Sequence, residues 1–144
     1  MMKKKLLPLA LMFVSVTGMA GEFSLTKSKA PHRIIVSPGM GGAAFPIGYM
    51  DTRPRTSYTL ESIEWSTTGF PQSVGETVQL CYGSGGNPDD CDSIAPNSSG
   101  TSYRFRGKTF RAGSMAVIRH SSAVGGARNS QPSGEDWVRF NLSY

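Results

Sequence analysis

The stretch Thr77–Arg106, TVQLCYGSGGNPDDCDSIAPNSSGTSYRFR, decides the fold of this chain. Its first part alternates apolar and polar residues, which places Val78 and Tyr82 on one face of a strand. A loop of Gly, Asn, Pro and Asp follows, and a polar turn then leads into a second alternating segment with Tyr103 and Phe105 inward. Two alternating segments joined by turn residues predict antiparallel β structure.

Short alternating segments recur on both sides of this stretch, starting near the N-terminus with Phe23 and Leu25. The clearest predicted strands are Tyr58–Thr67, Glu76–Tyr82, Thr101–Arg106, Ser114–Ser121 and Asp136–Tyr144. In contrast, Gly39–Gly48 lacks any periodicity and is predicted as a loop or an irregular edge. The turn signals recur every 8–12 residues or so, which is typical of sandwiches and barrels. We therefore predict an all-β fold, a small antiparallel β-sandwich of about seven or eight short strands.

Residues 1–20 carry the pattern of a secretory signal peptide. Three lysines at positions 3–5 precede the apolar run Leu6–Val16, and Gly18-Met19-Ala20 forms a small-residue cleavage site. The apolar run is shorter than the roughly 20 residues that span a bilayer, and no later stretch is apolar enough to do so. We predict that residues 21–144 form a single exported domain in the periplasm, or beyond it, with no transmembrane segment.

Charge is distributed unevenly along the predicted domain. The signal holds three of the fifteen basic residues and none of the ten acidic ones, so the remainder has a net charge of only +2 and does not indicate nucleic-acid binding. Basic residues cluster around one turn, at Arg104, Arg106, Lys108 and Arg111. They either form an interaction face for an acidic partner or are neutralised by the acidic residues of neighbouring strands.

Cys81 and Cys91 are the two cysteines of the chain and enclose nine residues. An even number of cysteines in an exported chain predicts a disulfide. The spacing is not that of a CxxC redox pair, and the aspartates beside Cys91 would raise a thiol pKa rather than lower it. A structural disulfide between Cys81 and Cys91 is therefore predicted.

The sequence gives no sign of a metal or catalytic site. Oxygen-bearing side chains crowd the loop and its end: Asn87, Asp89, Asp90 and Asp92. They do not have the spacing of a calcium loop, so we predict that these residues form turns and bind no metal.

His32 and His120 are far apart in sequence, and His120 alternates with apolar residues, which indicates a packed or sheet-surface histidine. Glu61 and Glu64 are predicted on opposite faces of a strand. We predict a protein that is not an enzyme and needs no cofactor.

The layout of the chain resembles the FlhE family, which are small exported proteins encoded with bacterial flagellar genes. The resemblance runs from the strand that carries Trp65, through Leu80-Cys81 and the second cysteine, to the Ser-Ser-Gly-Thr segment Ser98–Thr101. It continues through the aromatic segment around Phe105 to the closing Phe140–Tyr144. The chain departs from the family in a longer insert between the cysteines and in two extra residues near its end.

The resemblance implies a periplasmic β-sandwich that is accessory to flagellar assembly and is not an enzyme. Its role would be to control proton leakage through the export apparatus or to act as a periplasmic chaperone. A protein partner from the flagellar apparatus is implied. No site residues beyond the two cysteines are carried over.

Two other functions fit an exported β-sandwich with one disulfide. A fimbrial or adhesin-type pilus subunit would offer Glu22–Lys29 to a neighbouring subunit by β-strand addition. A carbohydrate-binding module would use exposed aromatic rings, for which Trp65, Tyr82 and Trp137 are the candidates. The pilus subunit predicts a free N-terminal segment, and the carbohydrate-binding module predicts that these rings are exposed.

Overall fold

The computed structural model describes residues 21–35, 39–122 and 130–144. The predicted signal peptide lies outside the described residues, and so does most of the predicted loop Ala123–Gly134. The strands are β1 (Glu22–Lys29), β2 (Gly39–Pro46), β3 (Ser57–Ser66), β4 (Glu76–Ser84), β5 (Cys91–Ile94), β6 (Ser99–Ser102), β7 (Thr109–Arg111), β8 (Ser114–Ser122) and β9 (Asp136–Ser143). A four-residue helix, α1, covers Tyr49–Thr52. Within the described ranges, no helix has the length and apolar character needed to cross a membrane.

The strands form two antiparallel sheets, which confirms the predicted β-sandwich. Sheet 1 has the order β1-β9-β3-β6, with β7 pairing to β3 beside β6. Sheet 2 has the order β2-β8-β4-β5. The two sheets bury the apolar face of each long strand between them, as alternation predicts. The buried apolar cluster is Ala43, Phe45, Ile47, Tyr58, Leu60, Ile63, Trp65, Val78, Leu80, Tyr82, Phe105, Phe110, Ala116, Ile118, Val138, Phe140 and Leu142.

A β-bulge in β3 changes which residues of that strand face outward. The register with β9 shifts between Leu60 and Ser62, so the side-chain alternation restarts after the extra residue. Ser143 Oγ donates to Glu61 Oε1 at 2.6 Å, and Asn141 Nδ2 donates to Glu64 Oε2 at 3.1 Å. Those two β9 residues share the outer face of sheet 1. The prediction that the two glutamates lie on opposite faces is therefore wrong.

β2 is a regular edge strand although its segment was predicted as a loop or an irregular edge. It pairs with β8 along all eight of its residues. Gly41 lies where a Cβ atom would come 2.1 Å from the carbonyl oxygen of His32, so a side chain has no room there. The segment around His32, which follows β1, covers part of the free edge of β2. The His32 amide donates to the Gly42 carbonyl at 2.9 Å.

The second alternating segment of the opening stretch is shorter than predicted. β6 ends at Ser102, and the chain then turns, with the Arg106 amide donating to the Tyr103 carbonyl at 3.2 Å. Phe105 is buried as predicted, but Tyr103 is 64% exposed rather than inward. The turn interrupts the strand alternation, so the two aromatic residues do not share a face.

The N-terminal strand belongs to its own sandwich. β1 pairs with β9 over its full length, from Glu22 opposite Ser143 to Lys29 opposite Asp136. The Gly21 amide extends this pairing by donating to the Tyr144 carbonyl at 2.9 Å. The pilus-subunit alternative would donate this strand to a neighbouring subunit, whereas here the strand completes a sheet of its own chain.

Candidate functional site

The predicted disulfide is confirmed. Cys81 of β4 and Cys91 of β5 are directly opposite each other, with their Cα atoms 4.0 Å apart. Arg119 of β8 lies over the bridge and holds the loop between the cysteines. Its Nη2 donates to Asn87 Oδ1 at 2.6 Å and to the Pro88 carbonyl at 2.8 Å. The bridge and this arginine together fix the Gly- and Asp-rich loop against sheet 2.

Three of the four residues of the predicted interaction face have carboxylate partners. Arg104 Nε donates to Asp90 Oδ1 at 2.9 Å, and Lys108 Nζ binds the other oxygen of the same carboxylate. Hydrogen bonds from Lys108 and then Arg104 lower the pKa of Asp90. Arg106 Nε lies 3.2 Å from Glu61 Oε2. The structure therefore brings the acidic and basic parts of the sequence together here.

Arg111, the fourth residue of this predicted face, lies on the short strand β7. Its amide donates to Ser114 Oγ at 3.1 Å, and its side chain is exposed. Arg111 and Lys108 line a depression of about 470 Å³. The interaction face stays a prediction, with a net positive charge smaller than the sequence suggests.

The oxygen-bearing side chains of the cysteine loop point to separate partners. Asn87 binds Arg119, and Asp90 binds Arg104 and Lys108. Asp92 Oδ2 accepts a hydrogen bond from Ser102 Oγ at 2.6 Å. Within residues 21–35, 39–122 and 130–144, no group of three or more His, Cys, Asp and Glu side chains could hold a metal ion. Asn87, Asp90 and Asp92 therefore tie the loop to β8, to the turn after β6 and to β6 itself.

The aromatic candidates for carbohydrate binding are mostly in the core. Trp65 is 9% exposed and Tyr82 is 2% exposed. Tyr82 donates its hydroxyl to the Thr109 carbonyl at 2.7 Å. Trp137 lies half-buried on the outer face of sheet 1. Of the three rings, two are therefore unavailable for stacking on a sugar.

The sequence prediction did not find the most unusual polar group of the protein, which we call the buried histidine cluster: Glu76, His120 and Asp136. His120 Nδ1 lies 2.7 Å from Glu76 Oε1, and His120 Nε2 lies 2.6 Å from Asp136 Oδ2. The side chains of His120 and Asp136 are fully buried, and that of Glu76 is 10% exposed. The cluster joins β4 and β8 of sheet 2 to β9 of sheet 1.

The second oxygen of each carboxylate binds the loop between β3 and β4. The Thr68 amide donates to Asp136 Oδ1 at 2.8 Å, and the Phe70 amide donates to Glu76 Oε2 at 3.1 Å. The Phe70 ring packs edge-on against the imidazole, with ring centres 5.0 Å apart. The cluster therefore fixes this loop as well as the two sheets.

The surroundings of His120 favour its charged form. Burial alone disfavours the imidazolium, but the hydrogen bond and charge of Asp136, followed by those of Glu76, outweigh it and raise the pKa of His120. A protonated ring donates to both carboxylates, whereas a neutral ring has a single N–H. Both ring nitrogens are engaged and hidden from solvent, so the cluster presents no ring nitrogen to a ligand.

A signal for this cluster does exist in the sequence. Glu76 lies two residues before the buried Val78, and Asp136 lies two residues before the buried Val138. Because side chains alternate along a strand, each carboxylate faces the same inward side as its valine. His120 has the same parity as the buried residues of β8, so of the two placements predicted for it, packed or on the sheet surface, the structure shows the packed one. Polar residues in phase with an apolar strand face are the feature that identifies such a cluster.

Comparison with known proteins shows a similarity of structure but none of sequence. No protein-family model matches the chain, and no curated protein sequence matches it. Among solved structures, the fold is similar to the crystal structure of FlhE, with a TM-score of 0.59 and 20% sequence identity. The similarity covers 85% of this chain and 98% of that one. The chain therefore has an FlhE-like fold.

Proposed function

We propose that the protein is a non-enzymatic accessory protein of flagellar assembly or export that works in the periplasm. The observation that carries the proposal is the FlhE-like fold, which covers 85% of this chain and 98% of the similar one. The disulfide supports it, because such bridges persist in oxidising compartments such as the periplasm. The N-terminal signal pattern of residues 1–20 supports the same location.

Two finer roles follow from the FlhE resemblance: control of proton leakage through the export apparatus, and a chaperone-like role for exported flagellar proteins. Both need a protein partner in the flagellar apparatus. Both also need a stable folded domain, which the two sheets, the disulfide and the buried histidine cluster provide.

The test is deletion of the gene in the bacterium that encodes it, with complementation by the full chain or by a chain without residues 1–20. We expect altered swimming in soft agar, restored by the full chain alone. Acidification of the cytoplasm in the deletion strain would support the proton-leak role, and flagellin misassembled in the periplasm would support the chaperone role. Unchanged motility together with loss of pili or of glycan binding would refute the proposal.

A further inference from the structure

The end of the sandwich opposite the buried histidine cluster carries exposed aromatic, methionine and arginine side chains. We call it the arginine–tyrosine surface, and its members are Tyr49, Met50, Arg53, Arg55 and Tyr144. Tyr49 is 61% exposed, Met50 73% and Tyr144 44%, and both arginines are exposed. Tyrosine, methionine and arginine are enriched where proteins bind one another.

Two cation–π contacts hold this surface in shape. Arg53 Cζ lies 4.5 Å from the centre of the Tyr49 ring, and Arg53 Nη2 donates to the Tyr49 hydroxyl at 2.7 Å. Arg55 Cζ lies 3.7 Å from the centre of the Tyr144 ring, which packs edge-on against buried Tyr58. Each guanidinium lies over a ring, and of the five N–H groups of Arg53 one donates to the Tyr49 hydroxyl, which leaves further donors for an acceptor from a ligand.

The helix beside the arginines is also fixed. Asp51 Oδ2 accepts from the Gly48 amide at 2.7 Å and from Lys27 Nζ at 2.9 Å. Arg53 and Arg55 line one depression of about 460 Å³. A ligand would therefore meet two oriented guanidiniums without having to order them first, which lowers the entropic cost of binding.

Among the described residues, no aspartate or glutamate side chain forms an ion pair with Arg53 or Arg55. All ten acidic residues lie in the part of the chain that the structure describes. Asp51, the acidic residue closest in sequence, is committed to Lys27. The predicted interaction face differs, because most of its basic residues already bind a carboxylate.

We propose that the arginine–tyrosine surface binds an acidic segment of a partner protein. Glutamate or aspartate side chains of that segment accept hydrogen bonds from the edges of Arg53 and Arg55, as carboxylates do from guanidinium groups. Apolar neighbours in the segment pack on Tyr49 and Met50. An anionic membrane fits less well, since membrane attraction relies on clusters of about four to eight basic residues.

The test is a two-dimensional NMR titration of residues 21–144 with a short capped peptide that alternates glutamate with leucine. We expect saturable shifts confined to the arginine–tyrosine surface, weakened by added salt and absent with the glutamine version of the peptide. The double variant Arg53→Gln/Arg55→Gln should weaken binding at least tenfold. The matched control, Lys29→Gln/Arg33→Gln, removes the same charge from exposed positions outside both basic surfaces and should bind as the wild type does.

Three outcomes would overturn the proposal. The shifts could map to another face, the two double variants could lose affinity equally, or the surface could respond to vesicles of phosphatidylglycerol and phosphatidylethanolamine but not to the peptide. If the Arg53/Arg55 variant does not fold, Arg53→Gln alone decides the question. The side chain of Arg53 binds only the exposed Tyr49 among the described residues, so the fold should tolerate its loss.

Discussion

The buried histidine cluster predicts that the protein loses stability as the pH rises above neutrality. The folded-state pKa of His120 is raised above its ordinary value of 6.5. A group of this kind contributes stability that is fully present below the unfolded-state pKa and is lost as the pH rises through the folded-state pKa. Above that pH the ring has one N–H, so either Glu76 or Asp136 faces a nitrogen lone pair.

The size of the effect follows from linkage and from burial. Each unit by which the folded-state pKa exceeds the unfolded-state pKa contributes about 1.4 kcal/mol. Removing the ring altogether, in His120→Gln, leaves two buried carboxylates without a cation and should cost about 3–5 kcal/mol at slightly acidic pH. Native domains have about 5–15 kcal/mol of stability in total, so this variant should be folded but close to its limit.

The assay is urea unfolding, followed by tryptophan fluorescence, at pH steps between about 5.5 and 9, the range in which histidine titrates. Urea is preferred because it leaves the ionic strength unchanged. The exposed His32 supplies the matched control, and His32→Gln should keep the wild-type pH profile. In Glu76→Gln/Asp136→Asn only burial acts on His120, so stability should instead rise with pH over this range.

That reversal of sign distinguishes the cluster from a general effect of net charge. The reasoning is refuted if the free energy of unfolding of the wild type stays constant or rises between about pH 6.5 and 9. It is also refuted if the NMR signals of the His120 ring titrate with a midpoint below the ordinary value of about 6.5. An unchanged slope in Glu76→Gln/Asp136→Asn would show that these carboxylates do not govern the titration.

Three further predictions concern stability measured by urea unfolding. Replacing Cys81 and Cys91 by alanine should cost about 3 kcal/mol, because the unfolded chain is no longer constrained; an equal stability would mean that the bridge contributes nothing. Gly100→Ala should cost about 1–3 kcal/mol by overpacking, since its Cβ would lie 2.8 Å from a ring carbon of the buried tryptophan of β3. Gly86→Ala, which meets no atom within 4 Å, is its near-neutral control. Asp90→Asn should cost less than about 1 kcal/mol, because it breaks solvent-exposed ion pairs.

The long strands could be predicted from the sequence because each buries one face. The segments around Ile63, Leu80, Ile118 and Phe140 alternate apolar and polar residues, and all four residues are fully buried. β2 carries too little of this signal, because Gly and Ala residues make up most of its length. Small residues are needed there, since the backbone of the segment around His32 lies directly against the strand. The bulge at Glu61 was equally invisible, because it is defined by pairing with β9 rather than by local sequence.

The disulfide could be predicted because two facts suffice for it, an export signal and an even cysteine count. The buried histidine cluster needs the sheet register as well. Glu76 and His120 are 44 residues apart, and His120 and Asp136 are 16 residues apart. Only the pairing of β4 with β8 and the stacking of the two sheets bring these side chains together. Local spacing marks these polar residues as inward-facing, but it does not encode which of them contact one another.

The buried histidine cluster and the arginine–tyrosine surface lie at opposite ends of β9. Asp136 begins this strand and Tyr144 follows its last residue, so about 25 Å of extended chain separates them at roughly 3.3 Å per residue. Effects of substitutions this far apart, with no shared partner, add independently. The cluster should therefore set the pH range in which the domain is stable, while the surface sets what it binds. A peptide affinity that follows the protonation of His120 in the fully folded protein would contradict this separation.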